Sequence, residues 1–142
     1  MVYTSNSTDE TRRFGAEAAA RAAPGDIYGL VGGLGSGKTE FTRGFAGHFL
    51  PQGTVWSPSF ALLNIYETQR FPIYHFDFYR LKDRRELIEI GFDDYAYGSG
   101  VCVIEWASLF MDELPADMTR IITFEDNGGT TRTIRMDDAR AG

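Results

Sequence analysis

The chain has 142 residues, with 14 Lys plus Arg against 20 Asp plus Glu and a net charge of −6. That length fits one domain, and the acidic balance excludes a self-sufficient nucleic-acid binder or a basic lipid-binding face. A hydrophobic content of 43% and one cysteine exclude global disorder and an internal disulfide, and two histidines leave no Cys/His zinc set.

No apolar stretch approaches the ~18 residues of a membrane helix, and the polar, acidic start lacks the form of a signal peptide. A single domain over residues 1–142 in the cytoplasm, without membrane attachment, is expected, with 1–6 and 138–142 as flexible ends. Ser7-Thr8-Asp9-Glu10 has the form of a capping box and predicts an Ala-rich helix to about Ala23, stopped by Pro24-Gly25. Asp26 to Val31 is apolar and of strand length. A glycine-rich turn follows from Gly32 to Gly37. A helix is then predicted from Lys38 to about Leu50, with Phe41, Phe45 and Phe49 on one face. Pro51 to Pro58 reads as loop.

Phe60 to Tyr66 and Phe71 to Tyr79 read as strands, the second with His75, Asp77 and Tyr79 on one face and Phe76 and Phe78 on the other. Asp83 to Ile90 predicts a short helix stopped by Gly91. Val101 to Ile104 is a fully apolar run, typical of a buried central strand, and leads directly into Glu105-Trp106. Thr119 to Glu125 and Thr130 to Met136 predict a hairpin around Asn127-Gly128-Gly129. Helices alternate with strands early and strands dominate late, so the fold class is α/β with a mixed sheet.

Gly32-Gly33-Leu34-Gly35-Ser36-Gly37-Lys38-Thr39 fits the P-loop pattern G-x-x-x-x-G-K-[ST] at every fixed position, between an apolar strand and a helix. Glycines let successive N–H groups turn inward as an anion nest, and the helix N-terminus adds partial positive charge. Lys38 supplies a point charge for the β- and γ-phosphates, and the Thr39 hydroxyl is a ligand for Mg²⁺. ATP or another nucleoside triphosphate with Mg²⁺ is therefore expected on Gly33, Leu34, Gly35, Ser36, Gly37, Lys38, Thr39 and Glu40.

A P-loop enzyme needs a carboxylate near the metal, at the end of a strand. Glu105 and Asp77 both fit; the plain alternatives are a solvated residue past a strand end and a half-exposed strand face. Ser57-Pro58-Ser59 reads either as a γ-phosphate-sensing switch loop or as a capped turn. Asp126-Asn127-Gly128-Gly129 has D-x-x-G spacing, but no N-K-x-D occurs, so a small GTPase is excluded. A P-loop small-molecule kinase remains as the alternative, with Arg84 and Arg85 as lid arginines or as ordinary surface charges.

Four blocks occur in order: Gly33 to Thr39, Val55-Trp56-Ser57-Pro58-Ser59-Phe60, His75-Phe76-Asp77-Phe78-Tyr79-Arg80, and Glu105-Trp106. Together they resemble the TsaE (YjeE) family, the bacterial ATPase of tRNA threonylcarbamoyladenosine synthesis, over about Thr8 to Ile134. The chain departs from the family pattern at Ser59, Gly33 and Ser36. The resemblance implies a three-layer P-loop NTPase-type domain that binds the TsaB–TsaD pair and hydrolyses ATP to permit repeated cycles, reaching tRNA only indirectly through TsaD. It implies Mg²⁺ on Thr39 and Glu105, catalytic Lys38, Glu105 and a water-orienting Asp77, γ-phosphate sensing by Ser59, and nucleotide contacts from Thr8, Thr11 and Arg132. His75 and Trp106 are expected to support the shape of the site.

Overall fold

A computed structural model describes residues 1–33, 35–50 and 62–138. Among these, seven strands form one mixed sheet in the order β1-β7-β6-β2-β5-β4-β3. The strands are β1 (Val2–Ser5), β2 (Ile27–Val31), β3 (Leu63–Tyr66), β4 (Ile73–Asp77), β5 (Val101–Glu105), β6 (Thr119–Asp126) and β7 (Arg132–Asp138). β2 runs parallel to both β5 and β6, and β4 runs parallel to β5. The outer pairings β3–β4, β6–β7 and β1–β7 are antiparallel.

The expected three layers are present. α1 (Thr8–Ala20) and α2 (Lys38–Gly47) cover one face, while α3 (Arg84–Glu89), α4 (Phe92–Ala96) and a 3-10 segment (Ala107–Glu113) cover the other. Side chains on the central strands alternate between the two. Tyr28, Leu30, Val101 and Val103 join Phe14, Phe41 and Phe45 in one cluster. Ile27, Cys102 and Ile104 join Phe76, Leu87 and Phe92 in the other. Residues 101–104 of β5 are all apolar because the strand is buried on both faces between β2 and β4, and only its last residue, Glu105, carries a charge.

Local signals set several boundaries. Ser7 accepts the Glu10 amide at 3.1 Å as N-cap of α1, while the Glu10 carboxylate turns back to the Asn6 amide. Asp83 caps α3 in the same way. α2 stops at Gly47, short of the expected Leu50, but Phe49 still packs against the core. The hairpin turns at Gly128 and Gly129, both at positive φ.

Three expectations are corrected. Val2–Ser5 does not fray: it is an edge strand on β7, with Ser5 fully buried and bonded to Thr11 and Tyr3 stacked on Phe14. Residue 138 likewise belongs to β7 rather than to a loose end. Tyr79 leaves the strand, because the Asp77 side chain accepts the Tyr79 amide and starts a 3-10 turn over Phe78–Arg80. Leu34, the Val55–Phe60 block and residues 139–142 lie outside the described residues.

Candidate active site

β2 ends at Val31 and α2 begins at Lys38. Gly35 and Gly37 sit at φ +73° and +110°, in the left-handed region that glycine tolerates. A side chain at Gly32 would collide with Ser36 and with the Phe124 carbonyl. At Gly33 and Gly35, by contrast, an added methyl would meet nothing within 4 Å among the described residues. Gly37 gives α2 no side-chain cap, and the first-turn amides are left for an anion. The hydroxyl of Ser36 is buried there without a hydrogen-bond partner among the described residues.

Lys38 points back along the loop. Its ammonium donates to the carbonyls of Gly32 and Gly33 and lies 3.6 Å over the Trp106 ring. Burial lowers its pKa, against the pull of the Glu105 and Asp77 carboxylates. Trp106 is the one non-glycine residue among those described at positive φ, and its ring packs on Tyr79.

Glu105 closes the floor of the site. Oε1 accepts from Thr39 Oγ1 at 3.2 Å, and Oε2 contacts His75 Nε2 at 2.6 Å. Asp77 is the strand neighbour of Glu105 in the β4–β5 register. Its carboxylate takes the Tyr79 amide at 3.2 Å and pairs with Arg80 at 3.4 Å. Burial raises the Asp77 pKa above 3.8, helped by Glu105 and opposed by the Tyr79 amide, Arg80 and His75.

Opposite the loop, the start of α1 and the β6–β7 hairpin form the far wall. Arg132 donates to the Gly35 carbonyl at 2.8 Å and pairs with Asp126 at 3.1 Å, tying the hairpin to the loop tip. Gly33, Gly35, Ser36, Gly37, Lys38, Thr39, Glu40, Glu105, Thr8, Thr11 and Arg132 all line one cavity of about 220 Å³. The Glu40 carboxylate is turned toward Arg12 and Arg43 at 2.8 and 2.7 Å, so it is held in ion pairs. Asp77 is not in the lining, and Leu34 and Ser59 lie outside the described residues. The structure adds Ser7 and Thr130 to the wall. Ser7 carried a capping signal; Thr130 carried none that distinguished it from an ordinary turn residue.

Among the described residues no cluster of three or more His, Cys, Asp and Glu could hold a metal unaided. The Thr39 hydroxyl and the Glu105 carboxylate are hard oxygen donors, the kind that suits Mg²⁺ sharing its shell with phosphate and water. No helix among the described residues is long and apolar enough to cross a membrane.

A family model described as "Threonylcarbamoyl adenosine biosynthesis protein TsaE" matches residues 5–134. A tRNA threonylcarbamoyladenosine biosynthesis protein TsaE of Bacillus subtilis is 41% identical over 86% of this chain and 76% of its own length. Proteins of the same description from Rickettsia prowazekii and Treponema pallidum are 42% and 39% identical, over 76% and 81% of this chain and 75% and 84% of their own. A crystal structure of Bacillus subtilis YdiB superposes with a TM-score of 0.77 at 34% identity, covering 94% of this chain and 82% of that one.

Proposed function

The chain belongs to the TsaE family of threonylcarbamoyl adenosine biosynthesis proteins, and from that premise we propose that it is a cytoplasmic, Mg²⁺-dependent ATPase of tRNA threonylcarbamoyladenosine synthesis. In this reading it binds the TsaB–TsaD pair, and its hydrolysis of ATP permits repeated cycles of modification on tRNA that it reaches only through the complex. The single observation that carries the reading is the convergence of Lys38, Thr39 and Glu105 with uncapped helix amides in one cavity.

The chain's own groups divide the work. The amides of the loop and of the first turn of α2 receive the phosphates. Lys38 exchanges its loop carbonyls for phosphate oxygens and offsets their charge. Thr39 and Glu105 would hold Mg²⁺, which would supply neutralisation of the phosphate charge. Asp77, beside Glu105 at the strand ends, orients the attacking water, and Ser59 senses the γ-phosphate. Thr8, Thr11 and Arg132 face the nucleotide from the far wall.

Positioning and electrostatics carry most of phosphoryl transfer, so the isolated chain is expected to hydrolyse ATP slowly and to speed up when TsaB and TsaD are added. Phosphate release measured with and without the pair tests this. Hydrolysis indifferent to the pair refutes the partner assignment, and ATP consumption that depends on a small acceptor identifies a kinase instead.

A further inference from the structure

Glu105 is held from two sides. It ends β5 at 5% exposure, with Oε1 on the Thr39 hydroxyl and Oε2 on His75 Nε2. His75 comes from the neighbouring strand, is 3% exposed, and stacks on the Tyr66 ring at 6.2 Å. Its other nitrogen, Nδ1, is buried with no hydrogen-bond partner among the described residues.

A neutral imidazole has one N–H donor and one acceptor nitrogen. A contact of 2.6 Å to a carboxylate oxygen requires the donor at Nε2. Nε2 therefore directs its N–H to Glu105, while Nδ1 meets no hydrogen-bond partner among the described residues. A packing residue at this place would be cheaper as an apolar side chain, because it would bury no unpaired nitrogen. The bond to Glu105 is what the imidazole adds.

Its effect is geometric. Lys38 lies close enough for its ammonium to feel the Glu105 carboxylate. A carboxylate fixed through Oε2 cannot swing toward that ammonium, so Oε1 stays on the Thr39 side and Lys38 stays available. We propose that His75 is a positioning residue for Glu105: its Nε2–H presets the Thr39–Glu105 oxygen pair for a divalent cation. This rests on the Mg²⁺ site of the proposed function, and it concerns a residue expected from sequence only to support the shape of the site. Partners that orient a metal ligand typically change metal affinity by about 10–100-fold when removed.

The test uses Mn²⁺ as the probe on the full chain loaded with ADP, reading bound Mn²⁺ by electron paramagnetic resonance, with ADP affinity in EDTA measured separately. His75→Met fills the space without a donor, and is expected to weaken Mn²⁺ binding by about 10-fold or more. ADP binding in EDTA is expected to be unchanged. His75→Asn has an amide too short to reach Oε2 and is expected to repeat the loss, which keeps the test open if the Met variant does not fold. His75→Gln returns an N–H at the reach of Nε2 and is expected to recover most of the affinity. Wild-type Mn²⁺ affinity in a folded Met or Asn variant overturns the inference, as does a Gln variant as weak as those two. Absence of Mn²⁺ binding to the wild-type ADP complex overturns the metal-site reading itself, and the wild-type titration alone distinguishes that failure.

Discussion

Gly44→Ala places one methyl group where α1 and α2 cross. A methyl there would lie 2.6 Å from the Arg12 carbonyl carbon, and closer still to its oxygen. Gly15 on α1 makes the reciprocal approach, with a methyl 2.9 Å from the Phe45 amide nitrogen. Both obstacles are backbone, so no side-chain rotation relieves them. Ordinary contact at 3.4 Å with the carbonyl carbon alone requires about 0.8 Å of separation, and the nearer oxygen requires more than that. A gap of ~0.5–1 Å forfeits roughly a quarter to a half of each dispersion well across the interface. That sets the loss near the top of the ~1–3 kcal/mol range for overpacking. Alanine's better helix propensity returns about 1 kcal/mol, leaving a net destabilisation of about 2 kcal/mol. For a domain of this size that is a fall of roughly 6–8 °C in Tm. Gly47, at the end of the same helix, has nothing among the described residues within 4 Å of an added methyl. Gly47→Ala is expected to leave stability unchanged or to raise it by up to about 1 kcal/mol, so Tm holds or rises. Thermal and urea melts of both variants decide the matter. A Gly44→Ala protein as stable as wild type, or a Gly47→Ala protein equally damaged, refutes the close-crossing explanation.

Lys38→Ala removes the charged donor of the loop, worth about 1.5–3 kcal/mol, and is expected to weaken Mg-ATP binding by roughly 10–100-fold with turnover lost; calorimetry showing unchanged affinity would refute the site. For Asp77 the folded state holds its proton more tightly than the unfolded chain, so its contribution to stability is full below pH 3.8 and is lost as pH rises through the raised folded-state pKa. Asp77→Asn keeps an acceptor for the Tyr79 amide without the charge, so it is expected to melt above wild type at pH 7, with the gap closing toward pH 4, while ATP binds and hydrolysis falls; a wild-type protein more stable than Asp77→Asn at pH 7 contradicts this sign. Cys102 is 1% exposed and burial pushes its thiol up to about 12. Alkylation by iodoacetamide at pH 8 is expected to follow the urea unfolding curve, because only the thiolate reacts; rapid labelling in native buffer would refute the buried placement.

Features that depend on a few adjacent residues were legible in the chain itself. The glycine-rich loop is one, because Gly35 and Gly37 adopt positive φ and a helix without a side-chain cap follows at once. The caps at Ser7 and Asp83 and the apolar run Val101 to Ile104 are others. Short elements with distant partners were not legible. β1 reads as a polar tail, since its reason to be a strand is the register of Val2 opposite Arg135. α4 has only five residues, too few for a periodic signal. Tyr79 continues an alternating pattern, yet the Asp77 side chain ends the strand before it.

By itself, then, the sequence determined an α/β chain with a glycine-rich loop of P-loop pattern, the identity of its lysine and threonine, and the acids that end its strands. Those are properties of local backbone freedom, periodicity and residue chemistry. The tertiary structure alone decided which groups meet: Glu105 with Thr39 across 66 positions, His75 with Glu105 across 30, and Arg132 with Gly35 across 97. It also turned the carboxylates of Glu40 and Asp77 toward neighbouring arginines. The physical reason is that a side chain's partner is set by strand order and register, and these are fixed only when both apolar faces of the sheet are buried at once.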